Sequence, residues 1–178
     1  MPTKRRFFQS WNLDKTLSVL AFLISLGTFF LLYYQTNLTR KQQYASALPY
    51  LELFNRGPRE DAYSFCLTNN GIGPAFIEKV LVHYQDSTFR MDPANFIYSK
   101  IYPTDTTISF VHTNLPEGKL MPPGLVIDLL VVEGSVKDAI RLRELFGFGN
   151  AQLEIFYKSV YDEKWVVRSG NPPTKLNE

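Results

Sequence analysis

Hydrophobic positions follow two different regimes along this chain. From Thr16 to Thr39 no charged residue occurs, and LSVLAFLISLGTFFLLYY within that run supplies 18 positions, nearly all apolar. At about 1.5 Å per helical residue this covers most of a hydrocarbon core roughly 30 Å thick. From Tyr50 onward, apolar and polar residues alternate over short runs divided by Gly, Pro, Asn and Asp, the period-two signature of half-buried strands.

The runs predict about seven strands. YLELF (50–54) comes first, then AYSFCLTN (62–69), with Tyr63, Phe65 and Leu67 on one face. AFIEKVLVHY (75–84) shifts its apolar register between Ile77 and Val80, as a bulge would make it do, and turns Val80, Val82 and Tyr84 inward. TTISFVHT (106–113), LVIDLLVVE (125–133) and a closing hairpin, AQLEIFYKSVY and WVVRS about the turn Asp162-Glu163-Lys164, complete the set. Asn69-Asn70-Gly71 and Gly73-Pro74 punctuate the second and third strands, and they are expected to supply a residue tolerant of positive φ and a fixed turn.

Two short helices interrupt the strands. Asp92-Pro93 provides an N-cap and first-turn pair for a helix through about Tyr98, closed by Pro103. Ser135-Val136-Lys137-Asp138 reads as a capping box for a helix to Phe146, with Gly147 as its stop. The fold class expected is mainly β: one N-terminal transmembrane helix, then an immunoglobulin-like β-sandwich with one or two short inserted helices.

Charge gives the anchor a direction. Lys4, Arg5, Arg6 and Lys15 precede the span, whereas only Arg40 and Lys41 follow it closely. The bias places the amino end in the cytoplasm and the domain in the periplasm or outside the cell, with Trp11, Tyr33 and Tyr34 at the headgroup levels of a cell (inner) membrane. The expected division is a cytoplasmic segment over 1–15, a transmembrane helix over 16–34, a juxtamembrane stalk over 35–48 that continues the helix toward Pro49, a sandwich over 49–169 and a polar tail over 170–178. Ala45-Ser46-Ala47 resembles a signal-peptidase site but lies past Arg40 and Lys41, so an uncleaved signal anchor fits better. Ser18, Ala21, Ser25 and Thr28 share one helix face and form a candidate seam for self-association or a partner helix.

Once the membrane flanks are set aside, the net charge of +2 changes sign. From residue 42 on there are 13 basic and 16 acidic side chains, so the folded part is mildly acidic and offers no basic face for nucleic acid. Cys66 is the only cysteine, so no intrachain disulfide forms, and with His83 and His112 the only histidines a Cys/His zinc site cannot be assembled. No cofactor or metal is expected.

Chemistry-bearing motifs are sparse. No Walker loop, G-x-S-x-G, H-E-x-x-H or C-x-x-C is present, and Gly147-Phe148-Gly149 follows a helix instead of opening one, so it reads as a cap. His83 and His112 are candidates to meet across a sheet, and Asp128 interrupts an apolar run on the face of Val126, Leu130 and Val132. Cys66 reads as a packing residue. The helix at 136–146 has a wider apolar face than a cap needs. Ile140, Arg141, Leu142, Arg143, Leu145 and Phe146, with Phe148, therefore form a candidate interaction surface, the alternative being a lid over a sheet edge.

LTNNGIGPAFIEKVLVHY (67–84), through Asn70, Gly71, Gly73, Pro74, Ala75 and Ile77, resembles the N-x-G-x-G-P-A-x-I strand-turn-strand of bacterial membrane-anchored immunoglobulin- or fibronectin-like domains. That resemblance implies an architectural turn and a sandwich, and no chemistry. The function expected is binding without catalysis: a protein-binding accessory subunit or adaptor of a membrane complex, held in the lipid bilayer by residues 16–34. The alternatives are a transmembrane assembly factor with a spacer domain and a membrane-tethered hydrolase.

Overall fold

The computed structural model describes residues 7–57, 59–102 and 108–176, with side chains in the first helix described from Leu13 onward. Lys4, Arg5, Arg6 and Pro103 lie outside the described residues, as does the side chain of Trp11. The chain forms two compact units, Met1–Ala45 and Ser46–Glu178.

The first unit is one helix, α1 (Phe7–Ser46), in which Leu13–Ser46 is long and apolar enough to cross a membrane. The polar stretch after Tyr34 continues the helix, because neither Gly nor Pro interrupts it before Pro49. Its apolar side chains point outward, with Leu17 70% and Phe22 67% exposed. Ser18 Oγ donates to the Asp14 carbonyl and Thr28 Oγ1 to the Ile24 carbonyl, both at 2.8 Å, so these two positions of the small-residue face are satisfied within their own helix.

The second unit contains two antiparallel sheets. β1 (Leu51–Arg56), β2 (Ala62–Asn69), β7 (Val126–Glu133) and β5 (Val111–His112) lie side by side in that order. The other sheet runs β10 (Thr174–Lys175), β9 (Lys164–Arg168), β8 (Ala151–Lys158), β3 (Ala75–Tyr84) and β4 (Ser87–Phe89), with β6 (Leu120–Met121) also paired to β3. Both contribute to one core that includes Leu53, Phe65, Leu67, Ile77, Val82, Leu129, Ile155 and Val167. Full burial of each large apolar side chain contributes about 1.5–3 kcal/mol, so the domain holds together without a disulfide.

Alternation locates the long strands. Tyr63, Phe65 and Leu67 are buried, and β3 shifts register between Ile77 and Lys79 while keeping Val80 and Val82 inward. The three strands beyond the expected seven, β4, β6 and β10, are too short to show a period, and β10 lies inside the stretch read as a polar tail. Of the described part of the expected strand at 106–113, residues 108–113, only Val111–His112 are extended as β5.

Both inserted helices are capped as their sequences require. Asp92 Oδ1 accepts from the Asn95 amide at 2.8 Å to start α2 (Pro93–Phe96), which widens into a π-turn over Ile97–Ile101. Ser135 Oγ accepts from the Asp138 amide at 3.3 Å and donates to its carboxylate at 2.9 Å, starting α3 (Val136–Leu142), which ends in a π-turn over Arg143–Gly147. The glycine with left-handed backbone is Gly149 (φ +83°), not Gly147. At Gly147 a Cβ would meet Arg143 Cγ at 3.1 Å, so that side chain would have to give way by a few tenths of an ångström.

Candidate functional site

Three surfaces carry the polar groups singled out by the sequence. The first is the turn between β2 and β3. Its glycines have no positive φ; they are small because the chain arriving from α1 passes directly over them. A Cβ on Gly73 would sit 1.9 Å from the Ala47 carbonyl oxygen, and one on Gly71 would sit 2.4 Å from that of Leu48. Residues 47–50 thus form a strap. The amides of Ile72 and Gly73 both donate to the Leu48 carbonyl, at 3.0 and 3.2 Å, and the Asn70 amide donates to that of Tyr50 at 2.8 Å.

Asn69, not Asn70, lies at the centre of this turn. Its fully buried carboxamide donates to the carbonyls of Gly73 and Met121 at 2.9 Å each, and its oxygen accepts from the amides of Gly71 at 3.0 Å and Tyr50 at 3.2 Å. Two donors and two acceptor positions are all used, which is the full capacity of an amide side chain. Asn70 lies outside it and donates to Glu52 at 2.7 Å. In sequence the two asparagines are indistinguishable; only the convergence of strap, turn and β6 separates them.

The second surface is the outer face of the β1-β2-β7-β5 sheet. A bulge pairs Phe65 with Leu130 and Cys66 with Asp128, leaving Leu129 as an extra residue. Asp128 therefore points away from the core, opposite to Leu130 and Val132 with which the simple period grouped it, because the bulge reverses the face on passing Leu129. Arg56 donates to its carboxylate at 2.7 Å, and the Cys66 thiol donates to the same oxygen at 3.0 Å. Burial, followed by the hydrogen bond to Asp128, pushes the Cys66 thiol up to about 12, which leaves it protonated and unreactive at neutral pH.

The third surface, on the opposite sheet, joins His83 to a carboxylate and a hydroxyl, Glu154 and Thr88, that the sequence does not single out. Glu154 on β8 is 7% exposed. Arg168 Nε donates to its Oε1 at 2.7 Å, its Oε2 lies 2.9 Å from His83 Nε2, and His83 Nδ1 lies 2.9 Å from Thr88 Oγ1. Hydroxyl, imidazole and carboxylate in this order form a hydrogen-bonded relay. The groove beside it, lined by His83, Thr88, Asn150 and Gln152, is wide and open. His112 is elsewhere, on β5 in the other sheet, with its ring centroid 5.6 Å from that of Tyr98. The two histidines and Asp128 do not converge.

The surface expected at residues 136–148 requires correction. Leu142, Leu145 and Phe146 belong to the core, where the Phe146 ring stacks on Phe65 at 5.2 Å. Arg143 donates to the carbonyls of Arg59 at 3.3 Å and Ala62 at 3.2 Å and holds that loop. Arg141 is half-buried, and within this stretch the exposed large apolar side chains are Val136 at 45%, Ile140 at 42% and Phe148 at 74%. The apolar face is wide because it covers the end of both sheets.

The sequence matches no protein-family model. No curated protein matches it. Among solved structures the chain is similar to the archaellum periplasmic stator protein FlaG from Sulfolobus acidocaldarius, with 12% identity over 68% of this chain and 99% of that one and a TM-score of 0.27. At that TM-score the likeness carries no argument about what this chain does.

Proposed function

We propose that this protein is a membrane-anchored, extracytoplasmic binding module, an accessory subunit or adaptor that recognises a protein partner beside the bilayer. The observation that carries this reading is α1. A helix of this length with most of its large apolar side chains more than half exposed leaves water only by entering lipid or by packing on other apolar helices. Residues 48 and 50, which follow that helix in the chain, are hydrogen-bonded to the domain's own turn after β2. The resemblance of residues 67–84 to anchored sandwich domains is architectural and agrees with it.

Crosslinking in intact membranes tests the reading, with a photoreactive residue at Phe148 or Val111, which are 74% and 73% exposed. A discrete crosslinked species is expected, and loss of function on deletion of residues 51–176. If function survives that deletion and is lost when α1 is exchanged for an unrelated span, the domain is a spacer and the binding reading fails. A reporter joined after Glu178 and active only outside the cytoplasm checks the orientation.

A membrane-tethered hydrolase is the second reading, favoured by one observation, the Thr88–His83–Glu154 relay. In it Thr88 Oγ1 would attack an ester or amide carbonyl while His83 takes its proton and returns it to the departing alcohol or amine, and water would then hydrolyse the acyl-threonine. Turnover of simple acyl esters by the full chain, abolished by both Thr88→Ala and His83→Gln, is required of this reading.

A further inference from the structure

We propose that β4 is a docking edge for a second copy of this chain, the two β4 strands pairing antiparallel about a twofold axis at Thr88. β4 is the outermost strand of its sheet and is held there by β3 through the pairs Val82–Phe89, His83–Thr88 and Tyr84–Ser87. Gln85 and Asp86 between the two strands both have left-handed backbone, φ 46° and 61°, as a tight two-residue hairpin turn requires. Such a turn makes Tyr84 and Ser87 the pair that exchanges both main-chain bonds, and alternation then aims the amide and carbonyl of Thr88 away from β3. Among the described residues no main-chain bond outside the ladder reaches Thr88, and Asp86, Ser87 and Thr88 are all exposed. At the far side of the same sheet the edge is blunted, because Pro172 and Pro173 lead into β10.

Charge selects both the occupant and the register. An incoming β4 must set its own free main-chain groups against Thr88, so the allowed registers differ by steps of two residues. With the axis on Thr88, Asp86 faces Arg90 of the second copy twice over and Ser87 faces Phe89. Moving the axis to Phe89 or to Ser87 sets Thr88 against Arg90 or against Asp86 and forfeits both charge pairs. Both charges are available: Asp86 is exposed and unpaired among the described residues, and the Arg90 side chain is 64% exposed. Arg90 gives Nε and Nη2 to Glu117 at 2.8 Å each, which leaves three of the five guanidinium N–H groups to donate. Opposite charges and paired threonines are favourable neighbours across two strands. The contact is small beside a standard interface of about 1,600 Å², so the dimer is weak and is best read by trapping it at the axis.

Thr88→Cys on the full chain, in an excess of detergent micelles that keeps one α1 from another, supplies the trap. Residues that exchange both main-chain bonds bring their Cα atoms to about 5.5 Å, within disulfide reach, and the buried native Cys66 does not compete. Under copper-phenanthroline a disulfide-linked dimer is expected to form several-fold faster than with Lys137→Cys on α3. Asp86→Arg or Arg90→Asp, each added to Thr88→Cys, sets like charges against each other in the homodimer and is expected to slow the reaction several-fold. Mixing those two chains, one of them carrying a size tag, opposes unlike charges again and is expected to restore the heterodimer alone. Equal rates at 88 and 137 overturn the edge. Rates unmoved by either reversal, or a mixture that restores nothing, overturn the charge-set register and with it the second copy as occupant.

Discussion

Asn69 donates a 2.9 Å hydrogen bond to the Met121 carbonyl, and through it the turn after β2 is tied to β6 while the same side chain holds the strap at Tyr50. Replacement by Ala orphans two buried carbonyls and two amides. A loss of about 3 kcal/mol is expected, read as a fall in melting temperature of about 10 °C. Asn70→Ala, which removes the bond to Glu52, is expected to cost less than about 0.5 kcal/mol.

Gly73→Ala forces the Ala47 carbonyl away, because the added carbon falls 1.9 Å from its oxygen. The strap is expected to detach, and limited proteolysis of the reconstituted protein should then cut within residues 46–50, where the parent chain resists. Gly27→Ala, with nothing within 4 Å of the new carbon, is the matched control and should leave the cleavage pattern unchanged.

Much of this architecture was legible from residue spacing. The long apolar helix, the long strands, both helix caps and the bulge in β3 each follow from a local rule that the tertiary structure did not override. The face of Asp128 is not legible because the bulge at Leu129 reverses it, and nothing local to LVIDLLVV announces that bulge. Glu154 is not legible, because AQLEIFYK puts it on an outward face; it becomes buried only when His83 and Arg168 arrive from neighbouring strands. Leu142 and Phe146 read as surface residues in the sequence because a helix's apolar stripe looks the same whether it covers a sheet or awaits a partner.

That last distinction has a direct test. Leu142→Glu or Phe146→Glu inserts a carboxylate into the core and is expected to cost more than about 4 kcal/mol, abolishing the cooperative melt. Phe148→Glu, at a site 74% exposed, should leave the melting temperature within about 2 °C of the parent.

Glu154→Gln weakens the links to His83 and Arg168 together. Both partners are substantially exposed, which screens the pair, so about 1–2 kcal/mol is expected in a denaturant titration. The edge hairpin at β4 should gain amide exchange first, since His83 also meets Thr88 there.

Alkaline pH should destabilise the domain. Burial raises the Cys66 thiol from 9.0 to about 12 and raises the Tyr63 and Tyr157 phenols as well. Above pH 9 the unfolded chain gives up protons that the folded chain keeps, so stability is full below that point and declines as the pH climbs toward 12. Melts from pH 7 to 11 check the sign. Iodoacetamide at pH 8 should leave Cys66 unmodified until the protein is unfolded.

The strap also decides the order in which the protein yields to force. Tension arriving from α1 meets the bonds of the Leu48 carbonyl to Ile72 and Gly73, then those at Tyr50, and only afterwards the β1–β2 ladder, whose six residue pairs begin at Leu51 and Asn69. The junction thus acts as a mechanical fuse, giving way for a few residues before the load reaches the core.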